Sequence, residues 1–173
     1  MVLQAHSLVS TFVAIDFETA DRWPDSACAL AAVRVSLGEI TERRFSLIRP
    51  PRPDIFFTHI HGITWDDVAS AAPFAEVWPD FEQMLAGAEA IAAHNAPFDR
   101  GVLNACCAAA GLDAPKIPFV CTVRVARRAF GLRRANLPAV CRHLGFPLKH
   151  HDAASDAEAC ARILMEAQKT LGP

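Results

Sequence analysis

Two carboxylates separated by one residue, Asp16 and Glu18, follow directly on the apolar run Phe12-Val13-Ala14-Ile15. The run is rich in β-forming residues and reads as a buried strand whose end carries acids. Side chains of a strand alternate between faces, so Asp16 and Glu18 project to one side while Phe17 turns into the core. Two such carboxylates repel each other unless a cation lies between them, and hard divalent ions such as Mg²⁺ or Mn²⁺ take oxygen ligands of this kind. Taken alone, Asp-x-Glu is more simply an edge strand ending in solvated acids. The remaining acids of the chain decide the matter.

Asp99 and Asp156 are those acids, and each is placed by a recognisable element. Ala90 to Ala93 reads as a short central strand, and Asn95 as the cap of a helix with Pro97 in its first turn that runs to Gly111. Asp99 therefore sits in the first turn of a helix at the end of a strand, where the helix dipole favours an acid and where α/β folds bind ligands. The final helix, Ala153 to Leu171, carries Asp156, Cys160 and Ile163 on one side, and His150, His151 and Asp152 lead into it. Imidazole titrates near neutrality, so a histidine beside these acids is a candidate base.

The other elements build the frame. Ala27 to Ser36 and Ile40 to Ile48 read as strands joined by the turn Leu37-Gly38-Glu39, which makes the opening a β-meander. Residues 49 to 54 hold Pro50, Pro51 and Pro53 and form a loop. Thr64 and Asp67 are spaced as a capping box for a short helix, Trp65 to Ala69. Pro73 opens a longer one with Phe74, Val77, Phe81, Met84 and Leu85 on its stripe. Phe119 to Cys121 is a short strand, Thr122 caps a basic helix to about Phe130, and Leu137 to Leu144 forms a helix ended by Gly145.

With 173 residues, 52% of them hydrophobic, the chain can bury a sizeable core, and one domain spanning 1–173 is expected. The formal net charge of −2 gives no overall field for nucleic acid. Its distribution is uneven. Between Ala114 and His151 there is no Asp or Glu, while Lys116, Arg124, Arg127, Arg128, Arg133, Arg134, Arg142 and Lys149 all fall there. A solvated helix face and a phosphate-facing rim both fit that stretch. Six cysteines without a Cys-x-x-Cys pair read as small buried hydrophobes in a reducing compartment. Met1 to Ser10 lacks the pattern of a secretory leader, and no apolar run approaches a membrane span, so a soluble, cytoplasmic protein without membrane partners is expected.

In their order and wording, Asp16-Phe17-Glu18-Thr19, then His94-Asn95-Ala96-Pro97-Phe98-Asp99, then His151-x-Ala153-x-x-Asp156-Ala157 resemble the DEDD exonucleases. The resemblance is to the branch with a catalytic histidine, which includes the proofreading subunit of bacterial DNA polymerase III, ribonuclease T and oligoribonuclease. Ile60-His61-Gly62-Ile63-Thr64 and the stretch from Pro73 to Phe81 extend the likeness over nearly the whole chain. The branch that uses tyrosine at the same step is excluded, because the chain contains none.

The resemblance implies an α/β, ribonuclease H-like fold, a mixed five-stranded central sheet flanked by helices. It implies a 3′ to 5′ exonuclease that hydrolyses single-stranded DNA or RNA 3′ ends to nucleoside 5′-monophosphates, with two divalent cations, Mg²⁺ or Mn²⁺. Asp16, Glu18, Asp99 and Asp156 would ligate those cations, with Asp16 bridging both, and His151 would be the general base, with His150 its competitor. Thr19, His61 and Phe98 match positions that line the terminal-nucleotide pocket. The chain stops soon after the last helix, so the tail with which the proofreading subunit binds its polymerase is not expected here. Two rival readings remain: a module of the same fold that holds 3′ ends without cutting, and a metal phosphatase acting on small esters.

Overall fold

The computed structural model describes residues 9–172, and the reading of Met1 to Ser10 as free of a leader falls almost entirely outside them. Among the described residues no helix is long and apolar enough to cross a membrane.

Strand β1 (Thr11–Thr19) lies at the centre of a five-stranded sheet of order β3-β2-β1-β4-β5. It pairs antiparallel with β2 (Ala27–Ser36), which pairs antiparallel with β3 (Glu39–Leu47), as the meander requires. On its other side β1 runs parallel to β4 (Ala90–Ala93), and β4 parallel to β5 (Phe119–Cys121). The sheet is therefore mixed, with its change of direction at β1. Leu37 and Gly38 at the β2–β3 turn both have positive φ, the geometry of the tight two-residue hairpin that the turn residues predict.

The two faces of β1 go to different neighbours. Val13, Ile15 and Phe17 pack with Phe74, Val77, Trp78 and Phe81 of α3 (Phe74–Gln83) and with Val102, Leu103, Cys106 and Cys107 of α4 (Ala96–Ala110). Phe12 and Ala14 pack with Ala153, Ala157, Cys160, Ala161 and Leu164 of α7 (Ala153–Leu171). That helix stripe is made of small side chains, so its backbone comes close to the sheet. Asp156 rides on the same stripe and is carried toward the face of β1 that bears Asp16 and Glu18.

A third cluster joins α5 (Thr122–Phe130), α6 (Leu137–Leu144) and α7 through Ala126, Leu137, Val140, Cys141, Ala159 and Ile163. The short helices α1 (Thr58–His61) and α2 (Trp65–Val68) lie beyond the proline loop. The capping box at Thr64 is present, with Asp67 Oδ2 accepting from Thr64 N at 2.7 Å and from Thr64 Oγ1 at 2.6 Å. All six cysteines are free thiols, five of them buried.

Candidate active site

β4 ends two residues short of the level at which β1 turns acidic: the parallel ladder stops at Ala14↔Ala92. Beyond it Phe17 has no strand partner on that side, and its N–H must find another acceptor. Asp99, in the first turn of α4, supplies it, Phe17 N donating to Asp99 Oδ1 at 3.1 Å. The carboxylate is buried, 1% exposed.

Asp16, Glu18 and Asp156 each present a ligand atom within 4.8 Å of the other two. Asp156 Oδ2 accepts from the backbone N–H of His151 at 3.0 Å and from His150 Nδ1 at 2.9 Å. Its other oxygen, Oδ1, is buried and has no hydrogen-bond partner. An open buried acceptor on a carboxylate grouped with two further acids is what a cation-binding centre requires. The electrostatics agree. Burial, then the nearby charges of Asp99, Asp156 and Glu18, hold the Asp16 carboxyl well above its usual range. Burial and the charge of Asp156 push Glu18 up to about 8. Burial raises Asp99 to about 7 and raises Asp156 as well. An all-oxygen donor set under such strain fits hard divalent ions.

Asp16, Glu18 and Asp156 line a cleft of about 590 Å³, together with Thr19, His61, Phe98, His150 and His151; Asp99 lies buried behind Phe17 and does not line it. His151 stands at its mouth with a left-handed backbone, φ 65°. Burial and the neighbouring His150 lower its pKa. His61 presents no free nitrogen: Nδ1 accepts from Ile63 N at 3.0 Å, so Nε2 carries the proton and donates it to the Thr19 carbonyl at 3.1 Å. What it offers the cleft is a ring face. Phe98 is half exposed there, 46%.

Three local expectations change. Asn95 does not cap α4 with its side chain; it takes a left-handed backbone, φ 76°, which asparagine tolerates, and lets the chain turn from β4 into the helix. Thr122 is the first residue inside α5 rather than its cap, and it is buried. Its hydroxyl donates to His94 Nδ1 at 2.9 Å, while His94 Nε2 donates to the Ala135 carbonyl at 3.0 Å. Burial lowers the pKa of His94 to about 4, so it is a neutral brace between β4 and the loop before α6. His150, read from sequence as the competitor of His151 and otherwise a residue of the rim, is exposed and in addition holds Asp156 Oδ2 through Nδ1 at 2.9 Å. No periodicity marks that role, because it arises in a loop. Phe57, Ile60 and Arg127 also line the cleft. The adjacent aromatics Phe56-Phe57 after the proline loop were the one sequence signal for that wall.

A mixed five-stranded sheet of this order, with acids gathered at the C-terminal end of its central strand, defines a ribonuclease H-like nuclease fold. The family model described as exonuclease, RNase T type, matches residues 13–164. The chain belongs to this exonuclease family. Exonuclease X, solved in complex with 5′ overhanging duplex DNA, is 28% identical with a TM-score of 0.75, each chain 92% covered. The nuclease domain of 3′hExo, described as a DEDDh family member and bound to rAMP, shares the fold at a TM-score of 0.79 and 19% identity, covering 95% of this chain and 94% of that one. A DNA polymerase III of PolC type from Bacillus cereus is 34% identical over 173 residues, 96% of this chain. The match spans 12% of that polymerase's length, and the same holds for the PolC-type polymerase of Thermotoga maritima, 33% identical over 171 residues and 94% of this chain.

Proposed function

We propose that the chain is a metal-dependent 3′ to 5′ exonuclease that removes nucleoside 5′-monophosphates from single-stranded ends of DNA or RNA. The observation that carries the reading is the convergence of ligand atoms of Asp16, Glu18 and Asp156 within 4.8 Å, on a buried aspartate whose Oδ1 has no hydrogen-bond partner. Family membership and the likeness to Exonuclease X, solved on a DNA end, support it.

Asp16, Glu18 and Asp156 are the residues that would hold one divalent ion, and Asp16 with Asp99, directly or through water, a second. Bound there, such a pair supplies neutralisation of charge on the entering and leaving oxygens and a water acidic enough to attack near neutral pH. The chain's own side chains do the rest. His151 takes the proton of the attacking water; burial and then the neighbouring His150 lower its pKa, which favours the proton-accepting form. Attack at phosphorus breaks the bond to the 3′ oxygen of the preceding nucleotide, which leaves and is protonated from solvent. His150 and the His151 backbone N–H fix Asp156 while this happens. The faces of His61 and Phe98, with Thr19, grip the terminal base. Arg127 borders the same cleft, and Arg124, Arg127, Arg128, Arg133, Arg134 and Arg142 are all exposed, which suits a rim that follows phosphates.

The test is digestion of matched DNA and RNA oligomers labelled at the 5′ end, with Mg²⁺ present. The expected product is a ladder shortening from the 3′ end, abolished by Asp16→Ala in a variant whose circular dichroism is unchanged. Turnover retained by that variant would refute the assignment.

A further inference from the structure

The rings of His150 and His151 stack at 3.8 Å between centroids, 22° from parallel. Consecutive side chains of an extended chain point to opposite sides, and the left-handed backbone at His151 is what brings these two together. Beneath them lies Asp156. His150, His151 and Asp156 each offer one ligand atom within 4.8 Å of the other two, with both histidines exposed and the aspartate buried. This trio shares Asp156 with the all-carboxylate group and is otherwise distinct from it.

We propose that His150, His151 and Asp156 form a second metal site, selective for imidazole-binding divalent ions such as Zn²⁺ and Co²⁺, whose occupation competes for Asp156 and switches the nuclease off. Two imidazole nitrogens and one carboxylate oxygen are the donor set of a borderline ion with an open fourth position, whereas Mg²⁺ favours oxygen ligands alone. The His150–Asp156 pair is close to ready, while the exposed His151 ring must turn out of the stack, because the in-plane lone pairs of parallel rings do not converge on one ion. Two ligands about 2.0 Å from a tetrahedral ion stand roughly 3.3 Å apart. His150 Nδ1 and Asp156 Oδ2 are at 2.9 Å, so a few tenths of an ångström separate the hydrogen-bonded pair from a chelating one. Ligation through Nδ1 needs the tautomer with its proton on Nε2, an exchange that water can mediate at a ring 39% exposed. No net proton is gained or lost.

Occupation has two consequences. The lone pair with which His151 would accept a proton is engaged, and a positive charge fixed on Asp156 Oδ2 weakens the hold of the same carboxylate on an ion shared with Asp16 and Glu18. Only this inhibitory consequence rests on the exonuclease reading; the binding itself does not.

The test is a Co²⁺ titration of the whole chain in millimolar Mg²⁺ without nucleic acid, followed by visible absorption. The expected result is saturable binding with the intense bands of a four- or five-coordinate ion, displaced by Zn²⁺. His150→Gln should weaken Co²⁺ about tenfold or more, and weaken Mn²⁺ less, so that the selectivity ratio falls. His151→Asn should act in the same direction. Only the faint bands of six-coordinate cobalt, or equal Co²⁺ affinity in wild type and His150→Gln, would overturn the site. With the site established, half-inhibition by Zn²⁺, read as a fraction of each protein's own Mg²⁺-driven rate, should need a higher concentration in His150→Gln than in the wild type, whatever the variant's own rate.

Discussion

Asp99 Oδ1 accepts the Phe17 backbone N–H at 3.1 Å, which ties the first turn of α4 to the strand that carries Asp16 and Glu18. One carboxylate thus has two duties, structural and electrostatic, and two substitutions separate them. Asp99→Asn keeps an oxygen for Phe17 and removes a charge that raises Asp16 and Glu18. It should raise the melting temperature measured in EDTA while reducing nuclease activity by orders of magnitude. Asp99→Ala leaves the buried N–H unpaired and should cost about 1–3 kcal/mol of stability. Equal melting temperatures for the two variants would contradict the division.

The acids predict an inverted pH profile for the metal-free chain. In the unfolded chain carboxyls titrate near pH 4. In the folded chain Asp99 is raised to about 7 and Glu18 to about 8, with Asp16 and Asp156 also raised. Between those limits the folded state binds more protons than the unfolded one, so stability falls as pH rises. Buried His94, held down to about 4, and the lowered His61 and His151 give the opposite slope below about pH 6.5, so the drop in EDTA melts should stand clear between about pH 6.5 and about pH 8. Mn²⁺ should restore stability most at the alkaline end. A profile that rises across that upper window in EDTA would contradict the clustering of the acids.

His151 is assigned proton transfer rather than metal binding for hydrolysis. Because its φ is 65°, alanine there would add backbone strain, and Asn is the cleaner replacement. His151→Asn should lower kcat by about 10² to 10⁴ with KM for oligonucleotide little changed. Single-turnover rates with saturating Mn²⁺ check this. Loss of Mn²⁺ affinity in proportion to rate would move His151 into the ligand shell.

Arg127 borders the cleft from α5. Arg127→Ala should weaken binding of single strands uniformly across sequences and flatten the salt dependence by about one ion in the slope. Fluorescence anisotropy at several salt concentrations measures it, and an unchanged slope would take Arg127 off the phosphate path.

The sheet was legible because its strands are short apolar runs bounded by polar and turn-forming residues, β-branched and aromatic in β1 and alanine-rich in β2 and β4, which gives all three nearly to the residue. The acids were legible because a strand end and a helix first turn fix where Asp16, Glu18, Asp99 and Asp156 must lie, and the motif order supplied the family. What sequence did not reveal depends on loops and on buried hydroxyls. The grip of His150 on Asp156, the His94–Thr122–Ala135 brace and the left-handed turn at Asn95 follow from how segments far apart meet. Such contacts leave no period to read. The acid-free stretch from Ala114 to His151 is resolved only in part: its arginines are exposed, and one of them reaches the cleft.

The most direct measurement is Mn²⁺ binding followed by electron paramagnetic resonance, in the presence of a nucleoside 5′-monophosphate. The wild-type chain should take up two ions whose signals are broadened by mutual coupling, and Asp16→Asn should abolish the coupling and most of the binding. Manganese bound by Asp16→Asn as by the wild type would mean that these carboxylates do not form the metal centre on which the proposed hydrolysis depends.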